Sequence, residues 1–145
     1  PTLRLNAPAP VEADRVISAQ TSLYMRELLR AVVTDGTGRN AGVEGYEVGG
    51  KTGTAEKPIR GGYSRDKMIN TFAAAFPMSS PKYVLVVTLD EAEIYAYGAM
   101  RRTAGWTAAP TVGAAIRRLA PILGMRPAPK LIDDGSVMVR SGSNQ

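Results

Sequence analysis

The spacing of apolar positions follows a helical period first, a strand period next and a helical period again at the end. Between Ala19 and Thr34 the apolar side chains recur three or four residues apart, which predicts a helix with one core-facing side. Ser18 directly precedes it and is a residue type that caps helix N-termini. The core-facing positions are Met25, Leu28, Leu29, Val32 and Val33.

Three strands are predicted in the middle of the chain. They span Tyr46–Glu56, which ends before Pro58, then Ile69–Pro77, and then Tyr83–Leu89. The pair Gly61-Gly62 predicts a loop between the first two strands, and a short proline-containing connection predicts an antiparallel turn before the third. The near-continuous apolar run of the third strand predicts burial on both of its faces.

The rest of the chain carries one more helix. Residues 91–105 show no clear period and are expected to be irregular, whereas Thr107–Leu119 predicts a helix whose apolar side holds Val112, Ala115, Ile116 and Leu119. Pro121 should kink or end this helix, and the tail 125–145 is expected to be loosely held. The fold class is therefore α+β, an antiparallel sheet of three strands from this chain packed with an N-terminal and a C-terminal helix.

The length of the chain and its first residues predict one hydrophobic core that belongs to a longer protein. The 145 residues, 44% of them hydrophobic, suffice for one core. The chain begins at Pro1, a proline-containing and extended connection is predicted over 1–17, and no apolar run approaches the roughly 20 residues of a membrane span. We expect a piece of a longer protein. Three strands alone would expose apolar surface and a bare edge, so pairing with an upstream part or with a second copy is predicted.

Residue types exclude several classes of chemistry. The chain has no cysteine and no histidine, which rules out thiol chemistry, histidine metal sites and a Ser-His-Asp triad within it. The net charge is +5, but the basic residues are scattered rather than interleaved with aromatics. Nucleic acid is therefore not an expected partner, and no cofactor is predicted.

The candidate chemistry lies in the glycine-rich stretch 48–57. Three glycines within five residues leave the backbone of this stretch nearly bare beside Lys51, Thr52 and Thr54. Glycine permits close approach of a ligand, lysine supplies a compact cation, and threonine supplies hydroxyl donors and acceptors. The stretch predicts recognition of an anion or of a peptide.

A nucleotide-binding interpretation is disfavoured. Residues 45–52 fit the pattern G-x-x-x-x-G-K-[ST], which requires a preceding strand and a following helix. A glycine-rich loop precedes Gly45, and Pro58 interrupts any helix that would follow. No helix N-terminus is then available to hold phosphate.

The alternative interpretation is a Lys-Thr-Gly motif on a strand. Around it lie Val16-Ile17-Ser18 opening a helix, the Gly36-Thr37-Gly38 loop and the longer segment Gly45–Ala55. In this order, over residues 11–124, the chain resembles class B penicillin-binding proteins. It is most similar to the division-specific, septal transpeptidase, and the elongation-specific relative resembles it nearly as well.

The resemblance implies roles for four residues of the motif. Lys51 and Thr54 would be catalytic, Lys51 by placing positive charge in the cleft and Thr54 by offering its backbone N–H to an oxyanion hole. The hydroxyls of Thr52 and Thr54 would hold the terminal carboxylate of a D-Ala-D-Ala stem peptide or of a β-lactam, and Gly53 would leave room for the acyl group. Strand alternation places Lys51 and Thr52 on opposite faces, unless the long lysine side chain reaches round an exposed edge.

The motifs that should precede Lys-Thr-Gly are absent. The family needs a nucleophilic serine in S-x-x-K at a helix start and then S-x-N, and residues 1–50 contain neither. The S-x-x-K matches at Ser64, in a predicted glycine-bounded loop, and at Ser79, in a proline-containing turn, come after the motif. We therefore expect the C-terminal portion of one transpeptidase domain, inactive alone.

The parent would be a serine acyl transferase on the periplasmic face of the bacterial inner membrane, with division proteins among its partners. A D,D-carboxypeptidase or β-lactamase relative stays open because Lys-Thr-Gly is shared. A non-catalytic module that binds a peptide or an anion on the same strand is the other alternative.

Overall fold

The structure, a computed structural model, describes residues 14–128. Its elements are α1 (Ala19–Thr34), a 3-10 turn (Arg39–Ala41), β1 (Gly49–Ile59), β2 (Gly62–Phe76), β3 (Tyr83–Asp90), β4 (Ile94–Ala96), β5 (Ala99–Arg101) and α2 (Ala108–Ile122). The predicted α+β class, with a three-stranded antiparallel sheet and a helix at each end, is confirmed. Most of the predicted extended start and loose tail lie outside these residues. Within them, no helix combines the length and the hydropathy of a membrane span.

Helix α1 has the predicted bounds, but its apolar side is covered in part only. The Ser18 hydroxyl accepts a hydrogen bond of 3.0 Å from the Thr21 N–H, as expected of an N-cap. Val33 is buried, whereas Met25 and Leu28 are 46% and 61% exposed. The prediction of a fully core-facing side was wrong for these residues because, among residues 14–128, only the C-terminal end of the helix packs well against other elements.

Strands β1 and β2 form a longer hairpin than predicted. β1 continues through Pro58 to Ile59, and β2 begins at Gly62, so part of the predicted loop is paired strand. The register shifts between Glu56 and Pro58, where the irregularity accommodates a proline on an edge strand. The sheet order β1-β2-β3 then leaves β1 and β3 as its two edges.

Strand β3 is covered on one face only, which corrects the prediction of burial on both faces. Its residues alternate between half-buried and exposed, and Val84 and Val86 are 75% and 57% exposed. Helix α2 packs against the face of β2 and β3 that carries Leu85 and Val87. No described element covers the opposite face, which carries Val84 and Val86. The predicted exposed apolar surface and bare strand edge are therefore present in residues 14–128.

The segment predicted to be irregular contains a small hairpin. Strands β4 and β5 pair with Ala96 opposite Ala99, through a turn at Tyr97 and Gly98. Both turn residues have positive φ, 51° and 74°, as in the tight turns that match strand twist. Strands of three residues carry too few positions to show a period, so sequence reasoning missed them.

Helix α2 contributes more buried residues to the described core than any other element. Small and branched side chains on one side of it pack against β2, with Pro110 in its first turn and Pro121 in its last. Of the side predicted from the sequence, Val112 and Ile116 are fully buried but Leu119 is 37% exposed. The buried partners on β2 are Phe72, Ala74 and Phe76.

The described start of the predicted loose tail is held to the body of the protein. The Ala128 N–H donates a 2.7 Å hydrogen bond to the Gly45 carbonyl. Gly45 has φ of +80°, and a Cβ there would lie 2.5 Å from Cβ of Pro127. Only glycine combines this backbone conformation with so close a neighbour.

Candidate functional site

The register of β1 sorts the motif residues onto two faces of the sheet. Thr52 pairs with Phe72 and Thr54 pairs with Asn70, so both threonines share a face with buried residues of β2. Lys51 lies on the opposite face, as strand alternation requires. Because β1 is an edge strand of the sheet formed by residues 14–128, its free side is open to an extended ligand.

The side chain of Lys51 folds back along this edge towards Thr52. Its ammonium donates a 2.8 Å hydrogen bond to the Thr52 carbonyl and lies 3.5 Å from Thr52 Oγ1. Although Lys51 and Thr52 lie on opposite faces of the sheet, their polar side-chain atoms are therefore close together. A positive charge therefore lies next to the hydroxyl for which the family resemblance implies a role in substrate binding.

Thr52 and Thr54 line a cleft of about 370 Å³. Its other walls are residues of the segment between α1 and β1, which includes the 3-10 turn, and of the segment between β5 and α2, namely Gly36, Thr37, Arg39, Asn40, Thr103, Gly105 and Trp106. Among residues 14–128, the lining includes four threonines and one arginine, and no acidic residue. Hydroxyl donors and a cation without a competing carboxylate suit an anionic ligand.

Thr37 is a residue of the cleft that sequence reasoning did not assign to the site. Its Oγ1 lies 3.0 Å from Thr52 Oγ1, within hydrogen-bond distance. The Thr54 hydroxyl has a different partner, since it accepts a 3.0 Å hydrogen bond from the Ala104 N–H. The only sequence signal for Thr37 was its position between two glycines in the 36–38 loop.

The two loops that wall the cleft contact each other directly. The Asn40 side-chain amide donates a 2.7 Å hydrogen bond to the Gly105 carbonyl. A Cβ at Gly105 would lie 2.6 Å from the Thr37 carbonyl oxygen, so only glycine permits this approach. The cleft is therefore built from sequence segments more than 60 residues apart.

Aromatic side chains and a cation stand at the rim. The Arg101 guanidinium lies 5.3 Å from the ring centroid of Trp106, which is cation–π distance. Tyr97 meets the same ring edge-on at 5.5 Å and is itself 85% exposed. The β4–β5 hairpin, which the sequence did not predict, thus places the aromatic ring of Tyr97 beside Trp106 at the edge of the cleft.

The glycines of the motif differ in what the fold demands of them. A Cβ at Gly50 would lie 2.4 Å from the Ala73 carbonyl oxygen and 2.7 Å from the Phe72 ring. A Cβ at Gly53 would approach nothing closer than 3.9 Å. Packing of residues 14–128 therefore requires glycine at 50 and leaves open space at Gly53.

Neither serine of the two S-x-x-K matches that follow Lys-Thr-Gly lies where a nucleophilic serine of this motif is expected, at the start of a helix. Ser64 lies in β2, not in the predicted loop, and its Oγ accepts hydrogen bonds from the Asp66 and Lys67 N–H groups. Ser79 lies in the turn between β2 and β3, as predicted. Neither side chain lines the cleft or begins a helix.

Two groups with shifted pKa values lie outside the cleft. Hydrogen bonds from Ser79, first from its side chain and then from its backbone N–H, lower the pKa of Glu47. Hydrogen bonds to Asp90 and Glu91 raise the pKa of Lys57. Both shifts come from contacts that join neighbouring elements, and neither group takes part in the cleft.

Comparisons with known proteins agree with this architecture. Residues 6–114 match the penicillin binding protein transpeptidase domain. A peptidoglycan D,D-transpeptidase FtsI homolog of Chlorokybus atmophyticus is 40% identical over 123 residues, which are 83% of this chain and 17% of that protein.

Two solved structures are similar as well. The transpeptidase domain of Burkholderia pseudomallei penicillin-binding protein 3 is 33% identical with a TM-score of 0.71, over 86% of this chain and 36% of that one. Penicillin-binding protein 3 of Mycobacterium tuberculosis, in complex with ampicillin, is 33% identical with a TM-score of 0.63, over 80% of this chain and 27% of that one.

The chain spans about a fifth of the length of the curated relatives it matches. It carries the two helices and the antiparallel sheet that these transpeptidase domains share. Its similarity is to relatives of the septal type that the sequence predicted. The chain belongs to the penicillin-binding protein transpeptidase domain family, in its class B.

Proposed function

We propose that the protein containing these residues is a peptidoglycan D,D-transpeptidase and that the cleft beside β1 holds the terminal carboxylate of its peptide substrate. The observation that supports this most directly is that Thr52 Oγ1 lies 3.0 Å from the Thr37 hydroxyl and 3.5 Å from the Lys51 ammonium, in a cleft whose described lining holds no acidic residue. A D-Ala-D-Ala peptide and a β-lactam both carry a carboxylate beside the acyl carbon that reacts.

The substrate would bind as an added strand. The free side of β1 offers backbone groups to an extended peptide, and the threonine hydroxyls then fix the peptide end. Gly53 leaves open space where an acyl group passes the strand. This arrangement sets the register of the substrate as well as its affinity.

The chemistry requires a serine from outside this chain. That serine attacks the carbonyl carbon between the two D-alanines, D-alanine leaves with a proton, and an amine of a second stem peptide displaces the serine from the acyl group. The Thr54 backbone N–H would be one of two donors to the oxyanion, a contribution on the order of 3 kcal/mol. Lys51 would add positive charge to the cleft.

The site would act on the periplasmic face of the inner membrane, where peptidoglycan is crosslinked, with division proteins as partners of the whole enzyme. The bare edge of β3 and the exposed side of α1 favour packing against an upstream part of the same protein.

Intact-mass measurement after incubation with a penicillin tests the proposal. The full-length protein should gain one penicillin mass, and the 145-residue chain should gain none because the serine lies outside it. A T52V variant of the full-length protein should acylate more slowly, and T88V, which removes a hydroxyl on β3 away from the cleft, should not.

The outcomes separate the candidate functions. An adduct on the 145-residue chain would contradict the exclusion of Ser64 and Ser79. No adduct on either protein would favour a non-catalytic peptide-binding module. A full-length adduct that is rapidly hydrolysed would favour a β-lactamase relative.

A further inference from the structure

The hydroxyl pair of Thr37 and Thr52 joins two separate elements inside the cleft. The two Oγ1 atoms lie 3.0 Å apart although the residues are 15 positions apart in sequence. Thr37 belongs to the loop between α1 and the 3-10 turn, and Thr52 belongs to β1. Either oxygen can be the donor in the pair, so the direction of the bond depends on what else Thr52 contacts.

A bound carboxylate fixes that direction. An ionised carboxylate can only accept hydrogen bonds, so Thr52 must donate its single hydroxyl proton to it. The lone pairs of Thr52 Oγ1 then accept from Thr37 on one side and from the Lys51 ammonium on the other. We propose that Thr37 is a positioning residue, which donates to Thr52 and thereby aims the Thr52 hydroxyl at the substrate carboxylate.

The backbone around Thr37 is held on both sides, so its hydroxyl is placed before any ligand arrives. The Gly36 N–H donates a 3.1 Å hydrogen bond to the Ala31 carbonyl, and the Gly38 N–H donates a 2.9 Å hydrogen bond to the Val32 carbonyl. A Cβ at Gly38 would lie 2.9 Å from the Phe72 ring, which shows how closely the loop rests on the core. A donor fixed in this way costs little ordering when the substrate binds.

The effect on binding should be modest and specific. A single hydrogen bond between neutral groups changes equilibrium and rate constants by about three- to tenfold. Donation from Thr37 also polarises the Thr52 hydroxyl, which strengthens its bond to an anion. This inference rests on the proposed function, since without a carboxylate ligand the direction of the pair is not fixed.

The test uses the full-length protein and the rate at which a penicillin acylates it. The variants are T37V, which keeps the side-chain shape and removes the hydroxyl, and T37S, which keeps the hydroxyl. We expect T37V to acylate about three- to tenfold more slowly. T37S should stay within about twofold of the wild type, and T88V, which breaks the hydroxyl pair with Thr71 on the opposite sheet face, should acylate normally.

A double-mutant cycle separates positioning from general structural damage. If Thr37 acts through the Thr52 hydroxyl, T37V should change the rate by less than about twofold in a T52V background. The melting temperature of T37V should equal that of T37S, because Thr37 is exposed and both substitutions leave the loop backbone intact. T37A repeats the test with a smaller side chain if T37V melts lower.

The possible failures point to different errors. Equal rates for T37V and the wild type, alongside a slow T52V, would overturn the role of Thr37 and leave the proposed function standing. If T37V slows acylation by the same factor in the wild-type and in the T52V background, the role of Thr37 would also be overturned. No slowing in T52V would overturn the carboxylate role of the cleft, and with it this inference.

Discussion

Gly50 and Gly53 are three residues apart in one strand and should respond oppositely to alanine. At Gly50 the new Cβ would lie 2.4 Å from a backbone oxygen of Ala73 and 2.7 Å from the ring of Phe72, which is fully buried. At Gly53 the nearest atoms would lie at 3.9 Å, an ordinary contact distance. We predict that Gly50→Ala destabilises the fold and that Gly53→Ala does not.

The magnitudes follow from two opposing terms. Forcing an extra carbon into a packed interior costs about 1–3 kcal/mol, and a carbonyl at 2.4 Å places Gly50→Ala near the upper end. Replacing glycine by alanine in a strand recovers about 0.5–1 kcal/mol of backbone entropy. Gly50→Ala should therefore lose about 2–2.5 kcal/mol, and Gly53→Ala should gain about 0.5–1 kcal/mol.

The measurement is urea unfolding of the full-length protein and its two variants, followed together with penicillin acylation. The expected pattern is a lower unfolding midpoint with Gly50→Ala and a higher one with Gly53→Ala. Gly53→Ala should nevertheless acylate more slowly, because its methyl group occupies the space assigned to the acyl group. Equal destabilisation by both variants would refute the packing argument, and unchanged acylation in Gly53→Ala would refute the assignment of that space.

Two further predictions concern contacts that hold neighbouring elements of the fold together. Glu47→Gln should lower the melting temperature slightly at neutral pH. Because hydrogen bonds from Ser79 lower the pKa of Glu47, the carboxylate stabilises the fold above the ordinary carboxyl range, and this stabilisation is lost as the pH falls through the folded-state pKa. A melting-temperature difference between the wild type and Glu47→Gln that persists in acid would contradict this reasoning. Phe72→Ala should cost about 3–5 kcal/mol in the free energy of unfolding, since the ring is fully buried; a loss below about 1 kcal/mol in denaturant titration would show that the cleft loops do not depend on it.

The sequence was sufficient where a feature depends on neighbouring residues. The bounds of α1 follow from its apolar period and from Ser18, which caps the first turn through a contact three residues away. The family assignment followed from the order of short motifs around Lys51. Such features can be predicted without knowing which elements pack together, because they depend on local geometry and local chemistry.

The sequence was insufficient where pairing or coverage decides the result. The apolar run of β3 was interpreted as buried on both faces, yet residues 14–128 cover one face only, since burial depends on which layers are present. The β4–β5 hairpin was missed because its short strands are defined by each other and by the turn at Tyr97 and Gly98.

The candidate site divides in the same way. Lys51, Thr52, Gly53 and Thr54 could be named from the sequence because they are contiguous on one strand. Thr37 could not, because the contact of its hydroxyl with Thr52 exists only when the loop after α1 folds onto the edge of the sheet. The chain alone therefore determined which chemical groups are available, and tertiary structure decided which of them meet, since distance in space is set by packing and not by position in the sequence.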